Sequence, residues 1–532
     1  MENGSVVTTK VENSSKFKSK EDKNVTVNKF AFPNVENGSI IEYSYKVASP
    51  FVYVIPETTI ELDIPSAYTE YVFETPVNMA YNINYTGGLT PKYTEDNRRN
   101  NTGALYNAVK FGFVDVKKFV QEEFVKNSDN YRSKVKGELH SAAFRDVTEY
   151  SSSWNNISER LDKDEEFGVE LAKQRIVRDL MPSQLATITT AKDKADLIFQ
   201  TVQKLFTWNQ TGGIFIDQGF KKLLETKTGN SADINLFLVA MLREAGLQAN
   251  PLLISTVDNG SLQLHSPNIA SLNFVLAAVE DKGSYYLYDA TSKQSSVNNL
   301  PPRDWNNHGV IMKKKTGNPV SMVNMTKSVN SLKIEAKLDE DGTVSGTYRD
   351  TDSGAFAMRA KDNYDDNAEK YKKANSESSG IDFSSINSLT RENGDFESSM
   401  KFEIPNAVDQ VGRKLILNPM IFLAKNKNEF NQSTPRLYPI DFVSPFVREK
   451  VIELKIPQGY VVEELPKPRQ IVTDDKEIKY SYDVSQKGDL LQIRSKVEVA
   501  SAEYQKEYYP AFKQIWAAIL KAENQAVSLV KK

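Results

Sequence analysis

Polar and apolar residues alternate along the first part of the chain, up to about residue 150. In the clearest stretch, every second position is apolar: Ile41, Tyr43, Tyr45 and Val47. A period of two predicts a strand with one buried face, and the turn signal Asn37-Gly38 precedes it. Similar stretches at 60–64 and 71–75 each end at a proline. Short strands separated by turns at this spacing predict a β-sandwich.

The period changes between about residues 155 and 225, where apolar residues recur at helical spacing and Thr190 marks a helix start. A second helix is predicted after Ser231 and is expected to end at Gly246. Its apolar residues follow an amphipathic pattern: Ile234, Phe237, Leu238, Met241, Leu242 and Ala245. Strands are predicted after it at 251–256, 272–279 and 285–289. Helices followed by strands predict an α+β domain.

After about residue 316 the alternation returns. Two alternating stretches, 332–338 and 344–348, flank the turn 339–342 and predict a hairpin. The polar stretch 360–400 predicts one helix and a mobile loop. Two further strands are predicted at 451–456 and 490–495. A terminal helix is also predicted, and we expect it to pack on its own domain through an apolar stripe of Phe512, Ile515, Trp516, Ile519 and Leu520.

These changes in pattern divide the 532 residues into three predicted domains. They are a β-rich domain at 1–150, an α+β domain at 151–315, and a β-rich domain at 316–532. Net charge is −3 without a basic block, so we expect no nucleic-acid partner. No apolar run reaches about 18 residues, so no transmembrane segment is predicted. The polar start, Met1-Glu-Asn-Gly-Ser, does not resemble a signal peptide.

The chain has no cysteine and only three histidines, His140, His265 and His308. The missing cysteines exclude disulfides, thiolate metal sites and a thiol nucleophile, and we expect no metal site and no cofactor. Two acidic segments, 339–342 and 350–354, resemble calcium loops. Both lack the full ligand pattern with its terminal Glu, so we expect hairpin turns instead.

Residues 229–246 resemble the nucleophile helix of a transglutaminase-like (papain-type) domain, in which a Gly-x-Cys-x-Asp turn places a Cys at a helix N-terminus. Together with 30–45, 436–442 and 456–460, they resemble a bacterial family with a transglutaminase-like domain between two β-domains. This resemblance covers nearly the whole chain and implies a periplasmic or cell-surface location. A stretch similar to 2–10 lies inside the family's first domain, after a signal peptide. We therefore expect this chain to begin partway through that domain, with an exposed sheet edge.

The resemblance implies a Cys-His-Asp triad, of which this chain keeps one member. Ser231 stands at the Cys position, Phe274 at the His position, and Asp289 at the Asp position. A serine hydroxyl needs an adjacent general base, and phenylalanine cannot supply one. We therefore expect a pseudoenzyme. In it, Ser231 would be a helix N-cap, Phe274 a core aromatic, and Asp289 a hydrogen-bond partner of the next turn.

Three functional hypotheses follow. The favoured one is a non-catalytic protein outside the cytoplasm that binds a peptide, protein or glycan through the old cleft or the β-domains. The alternative is a Ser-dependent amidase or peptidase, which requires His265 or His308 within hydrogen-bond reach of Ser231. The third is a scaffold without a cleft, expected if Phe274 fills the groove. The 24 Tyr and 26 Phe residues suit a carbohydrate or peptide groove, but sheet packing accounts for them equally.

Overall fold

The computed structural model describes residues 8–20, 26–45, 54–101, 104–144, 146–149, 153–173, 175–391 and 394–531. The chain divides into two compact units, Met1–Tyr53 and Val54–Lys532. The first unit contains an antiparallel hairpin of β1 (Lys16–Lys20) and β2 (Thr26–Phe30).

The prediction of a strand at 40–47, in this first unit, is wrong for the residues that the structure describes there, 40–45. Residues 40–45 form no strand, and Ile40 and Tyr45 are 96% and 77% exposed. Alternation alone does not make a strand where neither a pairing strand nor a buried face is present. The preceding turn is as predicted, with Gly38 at φ +93°. Lys46 and Val47 lie outside the described residues, as does the segment 2–7.

The second unit begins with two antiparallel sheets. Their strands are β3 (Val54–Thr59), β4 (Ser66–Pro76), β5 (Met79–Thr86), β6 (Tyr93–Asn101), β7 (Ala104–Val116), β8 (Lys134–Ala143) and β9 (Val147–Glu149). One sheet has the order β3-β8-β5, with β9 paired to β8, and the other has the order β4-β7-β6. Their side chains share a core of Ile60, Phe111, Phe113, Val116 and Val135. This arrangement is the sandwich that the alternation predicts.

The two predicted strands of this region have different outcomes. The stretch 71–75 lies within β4, as expected. The stretch 60–64 is a bend between β3 and β4, so that prediction is wrong. Ile60 enters the core, whereas Leu62 and Ile64 are exposed, because the chain turns after the first of the three.

The central region combines five helices with an antiparallel sheet. The helices are α1 (Trp154–Lys163), α2 (Arg175–Arg178), α3 (Ala191–Leu205), α4 (Phe220–Thr226) and α5 (Ser231–Glu244). The strands are β10 (Thr207–Trp208), β11 (Thr228–Gly229), β12 (Ala249–Ile254), β13 (Phe274–Asp281), β14 (Ser284–Tyr288), β15 (His308–Lys313) and β16 (Thr316–Ser321). The sheet order is β14-β13-β12-β15-β16, and the short β10 and β11 pair separately in parallel. This is the predicted α+β arrangement.

Helix α5 is the centre of this region. It packs against β12 and β13 on one side and against α2, α3 and α4 on the other. Its residues from Ser231 to Leu242 are consequently all buried, including those between the predicted apolar positions. Both faces of β13 are also covered: Val275 contacts the helical side, and Phe274 and Leu276 belong to a second core with Trp305.

The C-terminal region is β-rich, as predicted. Its first elements are β17 (Ser328–Leu338), β18 (Val344–Asp352), α6 (Ala355–Asp366), α7 (Ala368–Ser379), β19 (Phe383–Thr390), β20 (Phe396–Ile404), β21 (Asp409–Val411) and β22 (Lys414–Leu417). The remaining elements are β23 (Ile440–Asp441), β24 (Phe446–Lys455), β25 (Tyr460–Val462), β26 (Arg469–Val472), β27 (Ile478–Lys487), β28 (Leu490–Val499), β29 (Glu503–Tyr504), α8 (Tyr509–Glu523) and β30 (Val527–Lys531).

An eight-stranded sheet of order β19-β20-β18-β17-β24-β28-β27-β26 dominates this region, and a smaller sheet has the order β21-β22-β30-β25. The neighbours β17 and β24 run parallel. Helix α8 buries its predicted stripe, including Phe512 and Trp516, in the core of the same region. No helix in the described part of the chain is long and apolar enough to cross a membrane.

Two predictions for this region need correction. The polar stretch 360–400 contains parts of two helices and two strands, and not one helix with a mobile loop. The segment 350–354 is the end of β18 followed by the start of α6, and not a hairpin turn. The turn 339–342 does close the β17–β18 hairpin, with Gly342 at φ +85°.

Candidate functional site

A capping box starts helix α5. The side chain of Asn230 accepts a hydrogen bond from the backbone N–H of Asp233 (2.7 Å), and the Asp233 carboxylate accepts one from the N–H of Asn230 (3.0 Å). Asn230 therefore caps the helix and Ser231 is its first residue, which corrects the prediction that Ser231 is the N-cap. The extended backbone of Asn230, at ψ −178°, is the conformation that an N-cap requires.

Asp233 also anchors the loop that precedes α4. Its Oδ1 accepts hydrogen bonds from the backbone N–H groups of Asp217 (3.2 Å) and Gln218 (3.4 Å). Burial raises the pKa of Asp233, while these backbone hydrogen bonds act in the opposite direction. A Cβ at Gly229 would lie 2.7 Å from the Cβ of Asp233, so only glycine fits there. The Gly-x-Ser-x-Asp pattern thus has a complete structural explanation.

The side chain of Ser231 is fully buried and already hydrogen-bonded. Its Oγ donates to the carbonyl oxygen of Gly213 (2.8 Å), and its N–H donates to the carbonyl of Thr211 (3.1 Å). The loop 211–213 therefore covers the N-terminus of α5. A nucleophilic serine transfers its proton to a base, whereas the partner of Ser231 is a peptide carbonyl.

The histidines are not hydrogen-bonded to Ser231 in the described structure. His265 lies exposed in the loop before β13, and His308 lies exposed at the start of β15. The Ser-His pair that the amidase hypothesis requires is thus not formed. In the same described residues, no group of three His, Asp or Glu side chains is arranged to hold a metal ion.

Asp289 lies fully buried at the end of β14, and its oxygens are hydrogen-bonded on every side. Oδ1 accepts from the Asn235 amide (2.9 Å) and from the N–H (3.0 Å) and hydroxyl (2.7 Å) of Thr291. Oδ2 accepts from Nη2 of Arg303 (2.6 Å). The contacts with Thr291 are the predicted hydrogen bonds to the next turn.

Arg303 contacts both Asp289 and Phe274. The guanidinium carbon lies 4.5 Å from the ring centroid of Trp208 and 5.1 Å from that of Phe274, and the two rings meet edge to face at 5.8 Å. Phe274 is only 1% exposed. The ring of Phe274 is thus buried against the guanidinium of Arg303, whose Nη2 pairs with Asp289.

The loop over Ser231 also contacts Phe274. A Cβ at Gly212 would lie 3.0 Å from the carbonyl oxygen of Asn273 and 3.6 Å from Cδ2 of Phe274. The carbonyl oxygen of the neighbouring Gly213 accepts the hydrogen bond from the Ser231 hydroxyl. Ser231 and Phe274, which belong to α5 and β13, thus both contact the loop 211–213.

Asp304 adds a second carboxyl to this cluster. It is fully buried, its Oδ1 lies 3.5 Å from Nε of Arg303, and neither oxygen has a hydrogen-bond partner among the described residues. Burial raises the pKa of Asp304 well above its usual range. The charge of Asp289 raises it further, and that of Arg303 opposes both effects. A neutral Asp304 leaves Asp289 and Arg303 as a single matched ion pair.

Sequence reasoning missed three residues of this cluster: Asn235, Arg303 and Asp304. Asn235 joins α5 to the sheet, because its amide also donates to the carbonyl of Val275 (2.8 Å) and its oxygen accepts from the N–H of Ala290 (2.9 Å). A signal for Asn235 was present, since it is polar within the apolar run 234–242. Arg303 follows Asp289 by 14 residues, in the short 3-10 helix Pro302–Asp304, and gave no such signal.

Comparison with known proteins supports the fold. A model of a domain of unknown function, DUF3858, which is known from a solved structure, matches residues 413–529. A crystal structure from Parabacteroides distasonis, described as that of a candidate protease, shares 11% sequence identity. It aligns over 89% of this chain and 74% of its own, with a TM-score of 0.53.

A second crystal structure, described as that of a TGase, shares 12% identity and aligns over 37% of this chain and 44% of its own. Its TM-score is 0.17, which is too low to infer a common fold. No curated protein matches this chain. The chain is therefore a multidomain, β-rich α+β protein that shares its overall fold with the Parabacteroides distasonis protein.

Proposed function

We propose that this protein is a non-catalytic bacterial member of the transglutaminase-like proteins, with residues 151–315 as its degenerate catalytic domain. It acts in the periplasm or at the cell surface as a binding or scaffold protein for a peptide, protein or glycan. The main supporting observation is that Asp289 pairs with Arg303 at 2.6 Å and not with a histidine.

The chemistry of acyl transfer supports this proposal. A triad needs a nucleophile, a base that accepts its proton, and a group that orients the base. Here the Ser231 hydroxyl donates to a peptide carbonyl, and the ring of Phe274 accepts no proton. Removal of a triad member lowers the rate by several powers of ten.

The complete burial of Ser231 beneath the loop 211–213 favours a partner that binds elsewhere on the molecule. Trp208, Phe274 and Arg303 pack on one another. Because Ser231 has no exposed surface, a peptide lying across it would have to displace the loop 211–213. The cleft-binding form of the hypothesis is therefore less well supported than binding through another surface.

A fluorophosphonate probe tests the loss of catalysis, because it labels only activated serines. The full chain and the Ser231→Ala variant are incubated with the probe, beside an active serine hydrolase as a reagent control. We expect labelling of neither form of this protein, with melting curves showing that both are folded. Labelling of the wild type that disappears in Ser231→Ala would overturn the proposal and favour the Ser-dependent amidase or peptidase.

A further inference from the structure

A cavity of about 650 Å³ lies in the C-terminal region, between the eight-stranded sheet and helices α6, α7 and α8. Its volume falls within the range of about 300–1,000 Å³ that small-molecule sites occupy. The cavity lies entirely within residues 330–523 and does not include Ser231. Ligand binding there is therefore a function beyond the one proposed for residues 151–315.

Much of the cavity wall is apolar and aromatic. Phe356 of α6, Tyr371 of α7 and Trp516 of α8 line it from the helical side, and Leu332 of β17 and Val497 of β28 line it from the sheet. Aromatic and aliphatic walls of this kind bury the apolar part of a ligand.

Several charged groups in the wall already have partners. Nζ of Lys450 contacts both oxygens of the Glu523 carboxylate, at 2.8 and 3.0 Å, and Lys425 pairs with Glu429 at 2.7 Å. The Asp352 carboxylate accepts a hydrogen bond from Asn330 (2.9 Å).

The guanidinium groups of Arg359 and Arg448 differ from these. Both residues line the cavity and are exposed to solvent, and among the described residues neither guanidinium forms a hydrogen bond or an ion pair with the protein. The guanidinium carbon of Arg448 lies 5.4 Å from the ring centroid of Phe356, which places it against the aromatic wall.

The side chains that line the cavity carry an excess of positive charge. The lining holds five basic side chains, Arg359, Lys370, Lys425, Arg448 and Lys450, against two acidic ones, Asp352 and Glu523. Arg359 and Arg448 each carry a guanidinium group, whose planar set of donors suits a carboxylate or phosphate.

We propose that this cavity binds a small anionic amphiphile, whose carboxylate or phosphate group is held by Arg359 and Arg448 and whose apolar part packs against Phe356 and Trp516. The paired lysines and carboxylates fix the surrounding wall. The apolar lining explains why the ligand is an amphiphile and not an inorganic anion, which would leave the aromatic surface in water.

The test uses the full chain and the fluorescent probe anilinonaphthalene sulfonate, which joins an anion to an aromatic body. The probe is displaced with decanoate, decyl phosphate or decyltrimethylammonium. We expect displacement by at least one of the anions and not by the cation, and the stronger anion identifies the head group. Displacement by the cation as strongly as by the anions would overturn the proposal.

Variants locate the binding. Arg359→Gln and Arg448→Gln are each expected to weaken binding by about tenfold or more, because a charge-assisted contact is lost. Arg413→Gln, an exposed arginine between β21 and β22, is the matched control and should bind like the wild type. Ala374→Trp on α7 fills the cavity from its outer side and should also abolish binding. Unchanged affinity in folded Arg448→Gln and Ala374→Trp would refute the site.

Discussion

Arg303 explains how Asp289 and Asp304 can both be buried in the central region. An unpaired buried charge costs several kcal/mol. Nη2 of Arg303 contacts Asp289 at 2.6 Å and its Nε lies 3.5 Å from Asp304, while the rings of Trp208 and Phe274 cover the guanidinium. Arg303 thus supplies the positive charge for Asp289, while burial favours the neutral form of Asp304.

The variant Arg303→Gln is expected to destabilise the protein by about 3–5 kcal/mol, because it leaves Asp289 buried without its cation. The measurement is urea unfolding followed by tryptophan fluorescence. The matched control is Arg494→Gln, whose ion pair with Glu449 lies on an exposed surface and should contribute at most about 1 kcal/mol. Equal losses in the two variants would contradict the assigned role of Arg303.

Asp304 makes a prediction about pH. Its pKa is raised in the folded protein, so the folded state keeps its proton at pH values where the unfolded chain has released it. The stabilising contribution of Asp304 is therefore full below about pH 4 and falls as the pH rises toward the folded-state pKa. The Asp304→Asn variant does not show this loss of stability, because an amide does not titrate. Its free energy of unfolding, relative to that of the wild type, should therefore rise by up to about 1.4 kcal/mol per pH unit within that window.

Urea unfolding at about pH 5 and about pH 8 measures this difference. Asp258→Asn is the control for the substitution itself, because Asp258 is exposed. A difference between Asp304→Asn and the wild type that is the same at both pH values would show that Asp304 does not hold a proton in the folded state.

At the scale of elements, the most regular patterns were predicted well and the isolated ones poorly. The apolar spacing after Ser231 predicted α5, and Gly246 marked its end, since it adopts φ +79°. The cap was misassigned because Asn230 and Ser231 are both good N-cap residues. The backbone conformation that decides between them depends on the contacts of loop 211–213.

The site was predictable only where its residues belong to a local motif. Ser231, Asp289 and Phe274 follow from the resemblance, and the contact of Asp289 with Thr291 spans only two residues. Arg303 reaches Asp289 from the 3-10 helix Pro302–Asp304, which is too short for any periodicity to indicate that contact. The region 360–400 was misjudged because the polar faces of α6 and α7 resemble loop composition.

The capping box of α5 gives a prediction at this scale. Asn230→Ala should cost about 1–2 kcal/mol, because it removes the acceptor for Asp233 N–H and the donor to the carbonyl of Phe215 (3.0 Å). Thr190→Ala, which removes the simpler cap of α3, should cost about 0.5–1 kcal/mol. Asn230→Ser should recover part of the loss. Chemical denaturation compares the three, and a smaller cost for Asn230→Ala than for Thr190→Ala would contradict the buried role of Asn230.

At the scale of the second unit, the order of domains along the sequence does not reveal which regions touch. The segment 117–131, between β7 and β8, packs on the C-terminal region. The rings of Phe124 and Phe430 stack at 4.6 Å, and those of Tyr131 and Tyr438 stack at 4.5 Å. No local pattern indicates these contacts, because the partners lie some 300 residues apart.

Glu122 is the polar centre of this contact. Its carboxylate accepts hydrogen bonds from the backbone N–H groups of Leu437 (3.0 Å) and Tyr438 (3.0 Å), and lies 3.2 Å from Nε of Arg436. The side chains of Glu122 and Arg436 are 2% and 3% exposed. Burial lowers the pKa of Arg436, and the charge of Glu122 opposes that effect.

Removal of Glu122 should therefore separate the sandwich from the C-terminal region. In Glu122→Ala the Arg436 guanidinium stays buried without its anion, and we expect a loss of about 3–5 kcal/mol in unfolding free energy. Segment 117–131 should also become open to proteolysis, because two backbone N–H groups lose their acceptor. Glu123→Ala alters the adjacent, exposed carboxylate and should change stability by no more than about 0.5 kcal/mol. Limited proteolysis with mass mapping, together with urea unfolding, compares the two variants. If both are cleaved in this segment at the wild-type rate, Glu122 does not hold the two regions together, and the aromatic stacks and the ion pairs of Lys126 with Asp441 and Glu503 account for their contact.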